Sequence, residues 1–333
     1  MRSLGRKDHG QAVHGWEGAA RNGRGWRGRR RWDGVLAALP LLLALLLVCH
    51  TAVPNGPGRW GSLLETFLPW LGLGVPVVLC VALLRRSGVA LCALLVPSAA
   101  WFAVFGWLPD PQGGSAYDLV AVQHNVSDVN ADPRGTARQL AAADGDLIAL
   151  QELAPSLLPE FGAVLDASYP HHVSFGTVGL WSRYPLADER RIGIRPTDLG
   201  EDWDRGFRAT ARTPQGDVAV YVAHLPSLRL GRTGFGSARR DESAALLGAE
   251  IAAEPLDPVI LLGDLNGTLD DRGLAPLTSR LGVPERGLAF SWPERFPLAR
   301  IDQVLARSAT VSDVRTLPAT GSDHLPVAAR IRF

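Results

Sequence analysis

The sequence predicts a mixed α/β domain carried behind three transmembrane α-helices. Three long apolar runs, residues 35–53, 63–84 and 89–108, are hardly interrupted by charge. Each is close to the roughly 20 residues that cross a hydrocarbon core of ~30 Å. From Tyr117 the texture changes to short apolar strand candidates alternating with helix-forming segments, which is the pattern of an α/β domain. Several of those strand candidates end in a carboxylate, a carboxamide or an imidazole, and that recurrence points to a site.

Taken in order, residues 1–34 hold nine Lys/Arg, including the run Arg29-Arg30-Arg31, while the whole 333-residue chain has a net charge of only +1. No global field therefore argues for nucleic acid, and the basic segment, which lacks hydrophobic periodicity, reads as a topology signal and solvated tail, with binding to nucleic acid or anionic lipid as the alternative. Pro40, Pro69 and Pro76 are better tolerated in membrane helices than in buried ones. His50 and Glu65 sit near span ends, where a polar group reaches the interface. A cleaved signal peptide is disfavoured because two further spans follow the first. The first loop carries only Arg59 and the second carries Arg85-Arg86. Placing the basic segments in the cytoplasm sends everything after about Pro109 outside it. Residues 109–116, rich in Pro, Gly and Ser, read as a linker. Cys49, Cys80 and Cys92 all lie before residue 93, so the C-terminal domain has neither a disulfide framework nor a thiolate metal site.

In residues 117–333 the strand candidates are 118–126, 146–153, 173–183, 190–195, 207–212, 217–225, 259–262, 301–306, 310–316 and 325–333. Residues 134–143 and 237–253 read as helices, the second with Leu246, Leu247 and Ile251 for a buried stripe. A Pro-Gln-Gly turn makes 207–225 a hairpin, and period-two spacing puts Val218, Val220, Val222 and His224 on one face. Gly263 suits a sharp turn before Asp264. Gly231, Gly234 and Gly236 suggest a mobile segment after His224, and Arg208, Arg239 and Arg240 are available to phosphate.

The polar strand ends are Asn125, Glu152, His224, Asp264 with Asn266, Asp302, and the Ser322-Asp323-His324 turn. Each alone has a bland reading as a turn former, an edge residue or a satisfied core histidine. Together they fit phosphate-ester chemistry. Carboxylate and carboxamide oxygens suit a hard cation such as Mg²⁺, with Mn²⁺ as the substitute, which polarises a phosphoryl oxygen. An Asp can orient or deprotonate water, and a histidine can stabilise or protonate the transferring group. The domain has no cysteine and no Gly-x-Ser-x-Gly elbow, so thiol and α/β-hydrolase chemistry are disfavoured. It also lacks the Asp-x-His and Gly-Asn-His motifs of calcineurin-like phosphoesterases.

In that order, Asn125-Val126, Leu150-Gln151-Glu152-Leu153, Ser182-Arg183-Tyr184-Pro185, His224-Leu225, Gly263-Asp264-Leu265-Asn266, Ile301-Asp302 and Ser322-Asp323-His324 resemble the endonuclease/exonuclease/phosphatase superfamily, over residues 117–333. The resemblance implies a four-layer α-β-β-α sandwich of two face-to-face sheets with helices outside. It also implies roles: Asn125 and Glu152 as the metal-binding pair with Asp323 as a further ligand, Asp264 as the residue that positions or deprotonates water, and Asn266 as a phosphate contact. His324 resembles the histidine on the scissile phosphate, oriented by Asp302, and His224 resembles a second histidine that can act as acid for the leaving group. Leu265 stands where Phe is commoner, and the first motif is not the Trp-Asn-x-Asn-Gly type of repair nucleases. No carboxylate partner for His224 is legible in residues 173–205. The expectation is a membrane-embedded, metal-dependent phosphoesterase working outside the cytoplasm on a lipid headgroup, an inositol or sugar phosphate, or nucleic acid, with no protein partner implied. A nuclease and a catalytically silent membrane module on the same fold are the alternatives.

Overall fold

The computed structural model describes residues 17–106, 116–284 and 288–333, with side chains from Trp32 onward. The linker expected at 109–116 and the first half of the basic segment lie almost wholly outside the described residues. The basic segment's second half continues a long helix, α1 (Glu17–Val48). Two further stretches, Leu68–Arg85 and Gly88–Phe105, are helical and long and apolar enough to cross a membrane; the apolar part of α1, Trp32–Val48, is shorter. The expected first span, 35–53, is thus cut at Val48 by a turn of 3₁₀ helix at His50–Ala52. The second is cut at its start, because Leu63 to Thr66 belong to a separate helix, α2 (Trp60–Thr66). The rest of the apolar region forms α3 (Gly74–Arg85), α4 (Gly88–Ala93) and α5 (Leu95–Phe105).

The chain divides into two compact units, and the division does not follow the sequence. One holds α1 and Trp70–Trp101; the other joins Cys49–Pro69 to Phe102–Phe333. Glu65, expected at a membrane interface, is fully buried inside the second unit. Its carboxylate accepts from Arg272 Nη2 at 2.7 Å and from the Arg272 backbone N–H at 3.0 Å, with His50 Nδ1 at 3.0 Å.

The α/β part runs β1 (Leu119–Asn125), α6 (Pro133–Ala142), β2 (Leu147–Gln151), α7 (Leu158–Leu165), β3 (His171–Phe175), β4 (Val178–Ser182), β5 (Leu186–Arg191), β6 (Gly206–Thr213) and β7 (Gly216–His224). It continues with β8 (Leu230–Gly231), β9 (Gly234–Phe235), α8 (Ala238–Ala252), β10 (Val259–Asp264), α9 (Ala275–Thr278), β11 (Asp302–Arg307), β12 (Thr310–Thr316) and β13 (Val327–Arg332). One sheet has the order β12-β13-β1-β2-β4-β3 and the other β11-β10-β7-β6-β5. Each is built around one parallel pair, β1 with β2 and β7 with β10, whose crossovers run through α6 and α8. Parallel neighbours cannot be joined by a tight turn, so a helix covers the outer face of each sheet.

Period-two alternation explains the layers. Val218, Val220 and Val222 of β7 meet Leu119, Ala121 and Leu147 of the other sheet in the central core. The intervening Ala219 and Tyr221 turn outward to Leu247 and Ile251 of α8. Val122, Ile148 and Leu150 do the same against Leu140 of α6 and Phe161 of α7. The result is the expected four layers. Leu246, assigned to the buried stripe of α8, is instead exposed on its outer side. The strand expected over 173–183 is a hairpin, turned at Gly176 with φ of 54°, and the strand expected over 190–195 lies earlier, as β5, which ends at Arg191. Gly263 makes no turn: it lies within β10, where a Cβ would stand 2.1 Å from the Ala223 carbonyl oxygen, so it permits close approach of β7. The glycine segment after His224 forms the small β8–β9 hairpin, with the Phe235 N–H donating to the Gly58 carbonyl at 2.9 Å.

Candidate active site

Each inward-facing row of the central core is apolar along its length and polar at its end. Leu119 and Ala121 lead to Gln123 and Asn125, Val220 and Val222 to His224, Ile260 and Leu262 to Asp264, and Ala306 and Val304 to Asp302. Register then sets neighbours: Asp264 pairs with His224 on the parallel side and with Asp302 on the antiparallel side. Three adjacent strands therefore present imidazole, carboxylate and carboxylate in one line, at the rim where the two sheets part. Glu152 follows β2 with φ of 53°, a left-handed conformation that breaks the alternation and brings its side chain to the same rim. Asn266, φ of 47°, does the same after β10.

His324 arrives on the turn before β13. Its Nδ1 lies 2.8 Å from Asp302 Oδ2, and its Nε2 lies 3.8 Å from Asp264 Oδ2. Burial alone would lower its pKa, but the Asp302 and Asp264 carboxylates outweigh burial and push it up to about 10, so the ring is cationic at neutral pH. Burial would raise the pKa of Asp302, but His324, with help from Ser291, outweighs it and holds the carboxyl below the usual range; Gln123 Nε2 also donates to it at 2.6 Å. Asp264 differs. Burial drives its pKa up to about 7, against the opposing pull of His324 and the hydrogen bonds from Asn125 Nδ2 at 3.1 Å and the Asn266 N–H at 2.9 Å. Two adjacent carboxylates thus have opposite characters: one a fixed anion, the other a proton acceptor near neutrality.

His224 faces both Asp264, with Nε2 3.6 Å from Oδ2, and Glu152, with Nε2 3.8 Å from Oε1. Its second ring nitrogen meets an arginine, not a carboxylate: Arg205 Nη1 donates to Nδ1 at 3.2 Å. Burial first, then Arg205 and His324, lower its pKa to about 3, so the imidazole is neutral with its proton on Nε2. Asn266 donates Nδ2 to the Leu225 carbonyl at 2.9 Å and braces the Asp264 loop. Asp323 is exposed beside His324, and its backbone carbonyl accepts the Glu294 N–H at 2.8 Å. The structure thus gathers His224, Asp264, Asn266, Asp302, His324, Asn125 and Glu152, and leaves Asp323 at the margin.

Arg205 and Gln123 were missed in the sequence, and both had a signal. Gln123 lies two residues before Asn125, on the same face. Extending the β6–β7 hairpin register by one pair past Gly206–Ala223 sets Arg205 opposite His224. Behind them, Arg240, offered to phosphate from the sequence, is buried against Asp271 at 2.5 Å and the Asn266 carbonyl at 3.1 Å. Arg208 is spent on Glu254 and Arg239 on Asp198.

A divalent cation fits these donors. Glu152 is a third exposed and its carboxylate makes no hydrogen bond among the described residues. Gln151, in register with Asn125, buries both carboxamide atoms without a partner. Asp264, Asp302 and His324 also offer ligand atoms within 4.8 Å of one another. There, however, Asp302 is already engaged by Gln123 and His324, and His324 is cationic. On the other side Asn125 Oδ1 accepts the Ser127 N–H at 3.1 Å while Glu152 stays open, so both sides offer oxygen donors to a hard ion.

Sphingomyelinase C from Streptomyces griseocarneus superposes with a TM-score of 0.51 at 19% identity, covering 65% of this chain and 99% of that one. A humanized D. rerio TDP2 gives 0.53 at 18%, covering 65% and 99%. A beta toxin from Staphylococcus aureus, determined with bound magnesium ions, gives 0.51 at 13%, covering 64% and 99%. At these identities the likeness is one of fold. No curated protein matches the chain in sequence. The model of the Endonuclease/Exonuclease/phosphatase family matches residues 113–324, most of the catalytic unit and well over half of the chain. The chain therefore belongs to the endonuclease/exonuclease/phosphatase family and is, in class, a metal-dependent phosphoesterase.

Proposed function

We propose that this is a membrane-anchored hydrolase that cleaves a phosphoester outside the cytoplasm by direct attack of water. The observation that carries the reading is the placement of Asp264 between two histidines, with His224 Nε2 at 3.6 Å and His324 Nε2 at 3.8 Å from its Oδ2. Asp264 takes the proton of the attacking water, for which a carboxyl near pH 7 is suited. Cationic His324, held by Asp302, donates from Nε2 to the phosphoryl oxygen as charge builds there. Neutral His224, with Arg205 fixing its tautomer, presents Nε2–H to the leaving oxygen. Asn125 and Asn266 position Asp264. Glu152 and Asn125 would hold Mg²⁺ or Mn²⁺, with Asp323 left at the margin. The bound ion supplies Lewis-acid polarisation of the phosphoryl group and offsets charge on the leaving oxygen.

Anchoring is supported by the two apolar helices, and the outside placement by the arginine asymmetry of the sequence. The substrate is proposed to be small or lipid-borne, because the chain has no net basic field for nucleic acid. The test is turnover by the full chain in detergent with Mg²⁺, against bis(p-nitrophenyl) phosphate, p-nitrophenyl phosphate, sphingomyelin, inositol phosphates and single-stranded DNA. Hydrolysis abolished by chelator and by His324→Ala supports the reading; turnover untouched by both refutes it. A reporter fused after Phe333 that is active only in the cytoplasm would overturn the outside placement.

A further inference from the structure

Beside the catalytic loops lies a cavity of about 420 Å³, within the size range of small-molecule sites. Among the described residues, Pro69, Phe105, Leu269, Leu288 and Phe290 give its walls an apolar side, and Thr268 and Thr278 add hydroxyls. Set among them is a buried cation. Arg300 is 8% exposed, and its Nη1 has no hydrogen-bond partner. A guanidinium in this setting is costly, because among the described residues its desolvation is compensated by neither a full set of hydrogen bonds nor a contacting carboxylate. Burial pulls its pKa down to about 10, opposed by the charge of Asp270, so it remains cationic at neutral pH. Asp270 also lines the cavity.

We infer that this cavity is a binding site for an anionic amphiphile, with its single acidic group on Arg300 and its apolar body against Phe105, Leu288 and Phe290. Two further observations fit that occupant. Pro69 and Phe105 each lie at one end of an apolar helical stretch, Leu68–Arg85 and Gly88–Phe105, so the cavity is lined at the ends of the segments most compatible with lipid. The walls are also continuous with the catalytic loops: Thr268 follows Asn266 by two residues, and Arg300 precedes Asp302 by two. Ser291, next to Phe290, approaches the Asp302 N–H at 3.4 Å. Occupancy therefore bears on the segments that carry Asn266 and Asp302, without using the groups that carry the chemistry.

The experiment is calorimetric titration of the full chain, in maltoside micelles with EDTA, using decanesulfonate, which is no phosphoester. Saturable binding near one per chain is expected, with decanol and ethanesulfonate each at least about tenfold weaker, as the charge and the apolar body are both required. Arg300→Met keeps the shape and should weaken binding by about tenfold or more. Leu288→Trp fills the cavity from its partly exposed wall and should abolish binding with the unfolding temperature preserved. His324→Ala should leave binding intact. No saturable binding, equal affinity in Leu288→Trp, or loss of binding in His324→Ala would each overturn the assignment. If Arg300→Met unfolds, Leu288→Trp decides alone. Because the sulfonate is not hydrolysed and the metal is absent, failure of the catalytic reading would leave this result standing, and the converse holds.

Discussion

Nδ1 of His324 lies 2.8 Å from Oδ2 of Asp302, although 22 residues separate them in the chain. That contact keeps the ring cationic and aims Nε2 at Asp264. Replacing Asp302 by Asn preserves shape and removes the charge. The expected result is a fall in kcat on the order of 10²–10⁴-fold, the range for a lost acid–base function, with a smaller change in KM. Steady-state kinetics on the best substrate of the panel checks it.

The same ion pair makes stability depend on pH. The folded-state pKa of His324 is raised to about 10 from an ordinary 6.5. Its contribution to stability is complete below pH 6.5, where both folded and unfolded forms are protonated, and is lost as pH rises through about 10. Metal-free protein should therefore lose thermal stability between pH 6.5 and 10, and His324→Gln should flatten that decline. Unfolding scans across the window decide the matter; parallel slopes for the two proteins would contradict it.

Arg205 acts through His224. Arg205→Met removes the donor to Nδ1 but leaves the ring buried, so His224 should stay neutral and lose its tautomer preference. A drop of about tenfold in kcat is expected, equivalent to one hydrogen bond from a charged group. Nitrogen NMR of the histidine ring should show the Nε2–H form depleted, which mere loosening of the fold would not produce.

Glu152→Gln keeps size and hydrogen-bonding shape but removes the anion that faces the open rim. The Mg²⁺ concentration giving half-maximal activity should rise by at least about tenfold, since a hard cation depends on carboxylate charge. An unchanged metal requirement would move the ion elsewhere.

Glu65→Ala would leave Arg272 without its carboxylate and open a gap beneath α2. A loss on the order of 3 kcal/mol is expected, the cost of breaking a buried pair by removing one partner. Denaturant titration of the full chain measures it. A truncation that begins at residue 110 should be still less stable, because it lacks the whole Cys49–Pro69 segment.

The clustering of the candidate site residues was legible because the physics that ends a buried strand is visible locally. Val218, Val220 and Val222 make an inward row, and a histidine closing such a row must sit where the core opens. Partners across strands were less visible. Arg205 needed the hairpin register extended by one pair, and no motif marks an arginine that tunes a histidine. Helix α7 was missed because Pro159 and Gly162 weaken its propensity, which packing of Phe161 and Leu165 overrides. Hydropathy also misplaced Leu63–Thr66, since a buried ion pair inside an apolar run looks from the sequence like a span end. The partner that settles it, Arg272, is 207 positions away.

That separation also has a meaning in time. At synthesis rates of about 5–20 residues per second, Arg272 emerges on the order of ten to forty seconds after Glu65. Through that interval Glu65 has no lasting partner, while the apolar helices and most of the sandwich are still being made. Completion of the catalytic unit is therefore a late event, sealed only when the chain's far half reaches back to a segment laid down near its beginning.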